Sequence, residues 1–248
     1  MAEEIRDRAI VLGVVDYGES DRIVTLLGRE SGKVAAFARG ARASKKRFAG
    51  ALAPFHLLSV RLIPRRGDLF GLASCEVEEA FLGLRASLEA IALAGHAAEL
   101  CRELCREREP HPELFDRLAA HLARLAEAGP HPEERIAFEL GALAEAGFGP
   151  RLDGCVRCGD GAGEVRFVPA HGGLVCGRCA GSAGEGVALS PRALEVLRAA
   201  PFGPSRVAEG EAGARALREC RRALRAYLRH VLGKELRSTS VLEQLSLE

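Results

Sequence analysis

The hydrophobic pattern of the chain changes its period near residue 78. Before that point apolar residues fall in short runs rich in Val, Ile and Leu, separated by turn-forming clusters, which is a β pattern. Arg8 to Asp16 reads as a first strand and ends in the turn cluster Tyr17-Gly18-Glu19-Ser20-Asp21. Ile23 to Leu27 is a second strand, and Ser31-Gly32 turns the chain into a third, Lys33 to Arg39. Leu57 to Ile63 and Leu69 to Glu76 make a fourth and fifth, joined by Pro64-Arg65-Arg66-Gly67-Asp68. Five short strands punctuated in this way predict a small closed barrel. The longer connection from Gly40 to His56 has room for a short helix.

From Glu78 the period is helical. Glu78 to Glu107 is built of good helix formers, with no visible cap. His111-Pro112-Glu113 and His131-Pro132-Glu133 each read as a helix start, with Pro at the first helical position and Glu in the first turn. These helices run to about Glu127 and Ala146, where Gly147 and Gly149 stop the second. Ser190-Pro191 opens another to about Ala200, and Glu211 to Leu232 is the last long helix. On that helix Leu217, Cys220, Leu224, Tyr227 or Leu228, and Val231 form a core-facing stripe. Arg215, Arg218, Arg222, Arg225 and Arg229 recur on its other side. Such a stripe is ordinarily a solvated face; the alternative is a second nucleic-acid or partner surface. The tail from Gly233 carries no clear signal. The expected fold is α+β and multidomain, with a barrel domain over 1–80 and a helical domain over 81–248.

Cysteine changes this picture most. Cys155-x2-Cys158 is followed, after 17 residues, by Cys176-x2-Cys179, within a glycine-dense segment at about 152–184. That spacing suits a four-cysteine zinc site. Each knuckle aims two thiolates at one point, and Gly154, Gly159, Gly177 and Gly181 permit the turns. Glu164 to Val168 and Gly173 to Val175 can pair as a hairpin that joins the knuckles. Four thiolates close a tetrahedral shell, so such an ion would be structural, not catalytic. Spacing alone does not separate zinc from an iron–sulfur cluster. His171 is surplus to the set and reads as a surface turn residue. The other cysteines, Cys75, Cys101, Cys105 and Cys220, lie in apolar text and read as small buried hydrophobes.

The 248 residues are 48% apolar, enough for a sizeable core. No apolar run is long enough to span a bilayer, and the N-terminus lacks the pattern of a signal peptide, which predicts a cytoplasmic protein with reduced thiols. Net charge is +1, yet Ser31 to Gly67 holds nine basic residues and no acidic one: Lys33, Arg39, Arg42, Lys45, Lys46, Arg47, Arg61, Arg65 and Arg66. This polarity points to a basic binding surface on an acidic body. On the third strand Lys33, Ala35, Phe37 and Arg39 share a face, and a cationic groove with an occasional aromatic suits a nucleic-acid backbone. Phe37 could equally turn into the core. With no Trp and two Tyr, base stacking is expected to add little, and binding to be phosphate-directed and salt-dependent. There is no phosphate loop, dinucleotide fingerprint, HExxH or GxSxG, which points away from an enzyme.

The run Val14 to Leu27 (VVDYGESDRIVTLL) resembles the opening signature of the bacterial RecO family of DNA repair and recombination mediators. Ser31-Gly32-Lys33, Ala38 to Arg42, Lys45 to Arg47 and Leu52 to Phe55 continue it in order, and the four cysteines follow several helices, as in many members. The resemblance implies an N-terminal OB-fold β-barrel, then an all-α domain with an embedded four-cysteine zinc module. It implies binding of single- and double-stranded DNA, annealing of complementary strands and, with RecR and sometimes RecF, loading of RecA onto DNA coated by single-strand-binding protein, in the cytoplasm at the nucleoid. The family's basic surface corresponds to Arg39, Arg42, Lys45, Lys46 and Arg47, with Lys33, Arg61, Arg65 and Arg66 as neighbours. The tail Arg237 to Leu242 is less basic than the family's end. On physical grounds alone, an RNA-binding or ribosome-associated zinc protein fits a barrel with a zinc knuckle equally, and a metalloenzyme would need an open metal position.

Overall fold

The structure, a computed structural model, describes residues 4–44, 47–48, 50–65, 67–161, 163–202 and 209–245. It divides into two compact units, Met1–Gly129 and Pro130–Glu248.

In the first unit, strands β1 (Ile5–Tyr17), β2 (Asp21–Gly28), β3 (Gly32–Ala38), β4 (Leu57–Ile63) and β5 (Leu69–Glu79) close a barrel in the order β1-β2-β3-β5-β4. This is the OB-fold arrangement. Alternation puts Val24, Leu26, Val34, Ala36, Val60, Leu62, Phe70 and Leu72 inside, with Val11 from β1. β1 serves both neighbours: Ala9 and Ile10 pair with β2 and with β4. A register shift between Val11 and Gly13 bends the strand so that it can. The β2–β3 turn is held by buried Asp7, which accepts hydrogen bonds from Ser31 N (2.9 Å), Ser31 Oγ (2.6 Å) and Glu30 N (3.2 Å).

The short helix expected between the third and fourth strands is absent among the described residues, which run there as turns and bends. The apolar residues of this segment explain why. Ala41, Phe48, Ala51 and Leu52 join the barrel core, which anchors the connection at separate points. Ser44 Oγ accepts from Arg47 N and Phe48 N, a local turn that competes with helix.

After β5 the chain makes a 3-10 turn (Leu82–Ala86) and then α1 (Leu88–Leu104) and α2 (Pro112–Ala128). The single helix read over 78–107 is therefore shorter, because β5 extends to Glu79 and Ser87 starts α1 by accepting from Ala90 N at 3.2 Å. The chain beyond α1 returns to β3: Arg108 N donates to Lys33 O, and a β-carbon on Gly32 (φ +69) would stand 2.2 Å from Glu109 O.

The second unit contains α3 (Glu134–Glu145), a three-stranded sheet ordered β7 (Gly173–Cys176), β6 (Val165–Val168), β8 (Val187–Leu189), then α4 (Pro191–Ala199), α5 (Gly210–Leu232) and α6 (Arg237–Gln244). Pro132 precedes α3 by a turn in which Glu134 N donates to His131 O. α4 begins at the expected Ser190 cap. On α5 the expected stripe is buried at Leu217, Cys220, Leu224, Tyr227 and Leu228, and Val231 is half-buried. Tyr227 donates to Phe148 O at 2.9 Å, and its ring meets Phe167 edge-on at 5.4 Å. No helix is long and apolar enough to cross a membrane among the described residues.

Candidate nucleic-acid interface and metal centre

The four cysteines converge: their sulfurs all lie within 4.8 Å of one another. The hairpin does this by pairing Val165 with Cys176. Cys155 N donates to Asp160 O and Gly159 N to Cys155 O, closing the first knuckle. Gly159 has φ +79, and a β-carbon on Gly154 would stand 2.7 Å from Gly159 O, so both positions need glycine. Gly177 and Gly181 have ordinary backbone and no crowding. Cys179 N donates to Cys176 O in the second knuckle.

The donor set fits a tetrahedral metal ion. Cys158 and Cys176 sulfurs stand 3.7 Å apart. That matches the edge of a tetrahedron with metal–sulfur bonds of about 2.3 Å, and it excludes a disulfide bond of about 2.05 Å. The backbone N–H of Cys176 holds the Cys155 thiol down to about 6, while hydrogen bonds shared with Cys158 and Cys176 push Cys179 up to about 12. Four crowded sulfurs cannot all ionise without a cation to neutralise them. His171 is exposed at the hairpin turn, away from the set. Cys75, Cys101, Cys105 and Cys220 are buried, and burial pushes Cys75 and Cys105 up to about 11 and Cys220 to about 12, as inert thiols should be.

The described members of the predicted basic set fall into three groups. Arg39, Arg42 and Arg47 are exposed and adjoin the β1–β2 turn. Arg47 donates to Arg39 O, Arg42 N donates to Ser20 O, and Arg42 Nη1 donates to Gly18 O at 3.2 Å. Arg42 and Arg22 both approach Asp16, at 3.6 and 3.0 Å, which neutralises that carboxylate. Arg65 lies in the β4–β5 connection, with its guanidinium 5.4 Å from the centre of the Phe37 ring. Lys33 and Arg61 are engaged elsewhere. Lys33, 14% exposed, donates to Arg102 O at 2.8 Å and pairs with Glu107 at 3.3 Å. Arg61 grips Glu4 through two bonds of 2.6 Å, which hold the Glu4 carboxyl below its ordinary range. Lys45, Lys46 and Arg66 lie outside the described residues.

Phe37 faces outward. The register aligns Val15, Ile23, Phe37, Gly71 and Ile63 as one row across the outer face of the barrel. Tyr17 meets Phe37 edge-on, with ring centres 5.8 Å apart. Tyr17, Ile23, Phe37, Arg65 and Leu69 line an open groove of about 500 Å³. Tyr17, Ile23 and Leu69 carry no chemical signature in sequence; only strand register and loop placement bring them together.

The arginine stripe of α5 is partly structural. Arg225 pairs with Glu235 at 2.5 Å and with Glu243 on α6, Arg221 donates to Pro132 O, and Arg215 pairs with Glu219 at 3.3 Å. Arg218 and Arg222 are exposed, and with Arg135, Arg221 and Arg225 they line a cavity of about 270 Å³.

The sequence matches the family model described as recombination protein O N terminal over residues 1–81, and that described as recombination protein O C terminal over residues 85–240. The DNA repair protein RecO of Anaeromyxobacter dehalogenans strain 2CP-C is 49% identical, covering 98% of this chain and 97% of the relative. That of Myxococcus xanthus is 47% identical, covering 99% and 100%. That of Bacillus pumilus is 33% identical, covering 97% and 94%. With both family models matched in order and relatives aligned along nearly their whole length, the chain belongs to the RecO family.

Proposed function

We propose that the protein acts in DNA repair and recombination as a non-enzymatic mediator. In this reading it binds single- and double-stranded DNA, anneals complementary strands and, with RecR and RecF, helps load RecA onto DNA coated by single-strand-binding protein. Its setting is the cytoplasm, at the nucleoid. The observation that carries the reading is the cluster of exposed Arg39, Arg42 and Arg47 beside the β1–β2 turn, in a stretch of chain with no acidic residue. In OB-folds the β2–β3 face and the loops after β1 and β4 are where oligonucleotides bind. Arg65 in the β4–β5 connection stands at the same face. Lys45, Lys46 and Arg66 extend this basic set by sequence, whereas Lys33 and Arg61 spend their charge on Glu107 and Glu4 and contribute less. The barrel domain, residues 1–80, is the DNA-binding part. The ion held by Cys155, Cys158, Cys176 and Cys179 is zinc, and its closed shell makes it a staple of the glycine-rich module.

The test is annealing of complementary strands coated with single-strand-binding protein. The wild type should accelerate annealing. The triple variant Arg39→Glu, Arg42→Glu, Arg47→Glu should abolish the effect while keeping the wild-type melting temperature. The salt dependence of single-strand affinity should follow a log–log slope of about −0.7 per phosphate contacted. Undiminished annealing by the folded variant would remove these residues from the interface.

A further inference from the structure

We infer that the groove lined by Tyr17, Phe37 and Arg65 is a slot for one unstacked nucleobase, so that the barrel reads whether a strand is single as well as whether it is charged. The inference rests on the DNA-binding reading above and deepens it.

Soluble proteins seldom leave an ordered row of apolar side chains on an outer sheet face without a use for it. Here the row includes Val15 (66% exposed) and Ile63 (42%), with Tyr17 (57%) at its edge. Three features fit this surface to a base. Phe37 braces Tyr17 edge-on, which fixes one ring and leaves the other presenting area to solvent. Gly71 stands next to Phe37 in the row, and a β-carbon there would come within 3.4 Å of the Arg65 side chain. Beside this residue Arg65 lies over Phe37 and closes one side of the groove with a flat cation. A planar guanidinium above an aromatic ring is itself a stacking partner for a base. Cations flank the same side: Arg42 reaches the β1–β2 turn next to Tyr17, and Arg22 and Arg42 neutralise Asp16, while Glu19 and Asp68 are the exposed carboxylates of that turn and of the β4–β5 connection. The occupant must therefore be flat, aromatic and attached to an anionic chain, which describes a base of single-stranded DNA.

The slot has a consequence for annealing. Bases in a duplex are stacked and paired, so a duplex can use the arginines but not the slot. Each base that finds its complement is withdrawn from Tyr17 and Phe37. Pairing itself thus weakens the hold on the product, and the protein favours the substrate of annealing over its result.

The experiment uses the full chain at one fixed salt concentration. Affinities are measured for a thymidine oligonucleotide, for an abasic strand with the same number of phosphates, and for a duplex. The base-bearing strand should bind about tenfold more tightly than the abasic one. The difference should shrink to less than about twofold in Tyr17→Ala and in Phe37→Leu, the second keeping apolar volume without a π face. A direct readout is at hand. The chain has no Trp and two Tyr, of which Tyr17 is exposed and Tyr227 buried. Base-bearing strands should quench the tyrosine emission of the wild type, and the Tyr17→Ala protein should lose that quenching. Equal affinity for base-bearing and abasic strands, with no quenching, overturns the slot alone. No affinity for any of the three DNAs even at low salt overturns the DNA-binding reading together with the slot.

Discussion

Removing the metal should unfold the cysteine module and leave the barrel intact, and Cys158→Ser is the cleanest way to show it. Cys158 is exposed, whereas Cys155 and Cys176 are buried in a small cluster with Val168, Val175 and Ala183. Serine at an exposed position costs no more than about 0.5 kcal/mol in packing, so any larger effect must pass through the ion. A structural zinc contributes about 10–16 kcal/mol of apparent binding energy at neutral pH, as much as or more than the 5–15 kcal/mol that separates most folded domains from unfolding. With one thiolate gone the module should lose at least about 4 kcal/mol of local stability, which is on the order of a thousandfold in amide exchange. The reporting amides are those that close the knuckles: Cys155 N–H on Asp160 O (2.8 Å), Val156 N–H on Leu174 O (2.8 Å) and Gly177 N–H on Glu164 O (3.0 Å). Hydrogen exchange by mass spectrometry, with and without a strong chelator, resolves them from barrel amides such as Val24 and Leu62. The module peptides should accelerate in both the variant and the chelated wild type, while barrel peptides and single-strand affinity hold. Unchanged protection of the module after complete metal loss would refute the stapling role. Barrel peptides that accelerate in step with the module would refute its confinement to the second unit.

Two further outcomes test the first unit. Asp7→Ala deprives Ser31 N, Ser31 Oγ and Glu30 N of a charged acceptor at a buried turn and should cost about 3 kcal/mol, read as a lower urea midpoint with unchanged slope. Arg29 hydrogen-bonds both oxygens of Asp116 (3.1 and 2.9 Å) and holds that carboxyl below its ordinary range. A depressed folded pKa means that the contribution is present above the unfolded value of about 3.9 and is lost as pH falls through the folded one. Arg29→Gln should move the Asp116 carboxyl midpoint upward in an NMR titration and remove this part of the acid sensitivity.

What could be read from sequence was what is encoded locally. The five strands show in the alternation of Val, Ile and Leu, and α2 and α4 announce themselves through Pro112 and Ser190-Pro191. The cysteine ligands were legible because two knuckles and a hairpin need only nearby residues. The losses have a common cause in distant partners. Gly40 to His56 has the length for a short helix, but the barrel core claims Phe48 and Leu52. β8 is three residues long and exists because β6 offers it an edge. Ser87, within ordinary helical text, became a cap only because β5 runs further than its pattern suggested. Lys33 looked free until the chain after α1 returned to β3 and supplied Glu107. The scarcity of aromatics suggested that stacking would matter little, yet four strands and a loop build a groove that sets two of them together at one point.

The parallel seam that closes the barrel is short. β3 and β5 meet through Ala35–Leu69, Ala36–Phe70 and Phe37–Gly71, fewer pairs than any other ladder of the barrel among the described residues. Phe37 and Leu69 on this seam also line the groove. A strand lying across them would therefore bridge the line along which the barrel opens most readily. Bound DNA would act as an external clasp, and thermal breathing of the closed sheet would become a property of the complex rather than of the protein alone.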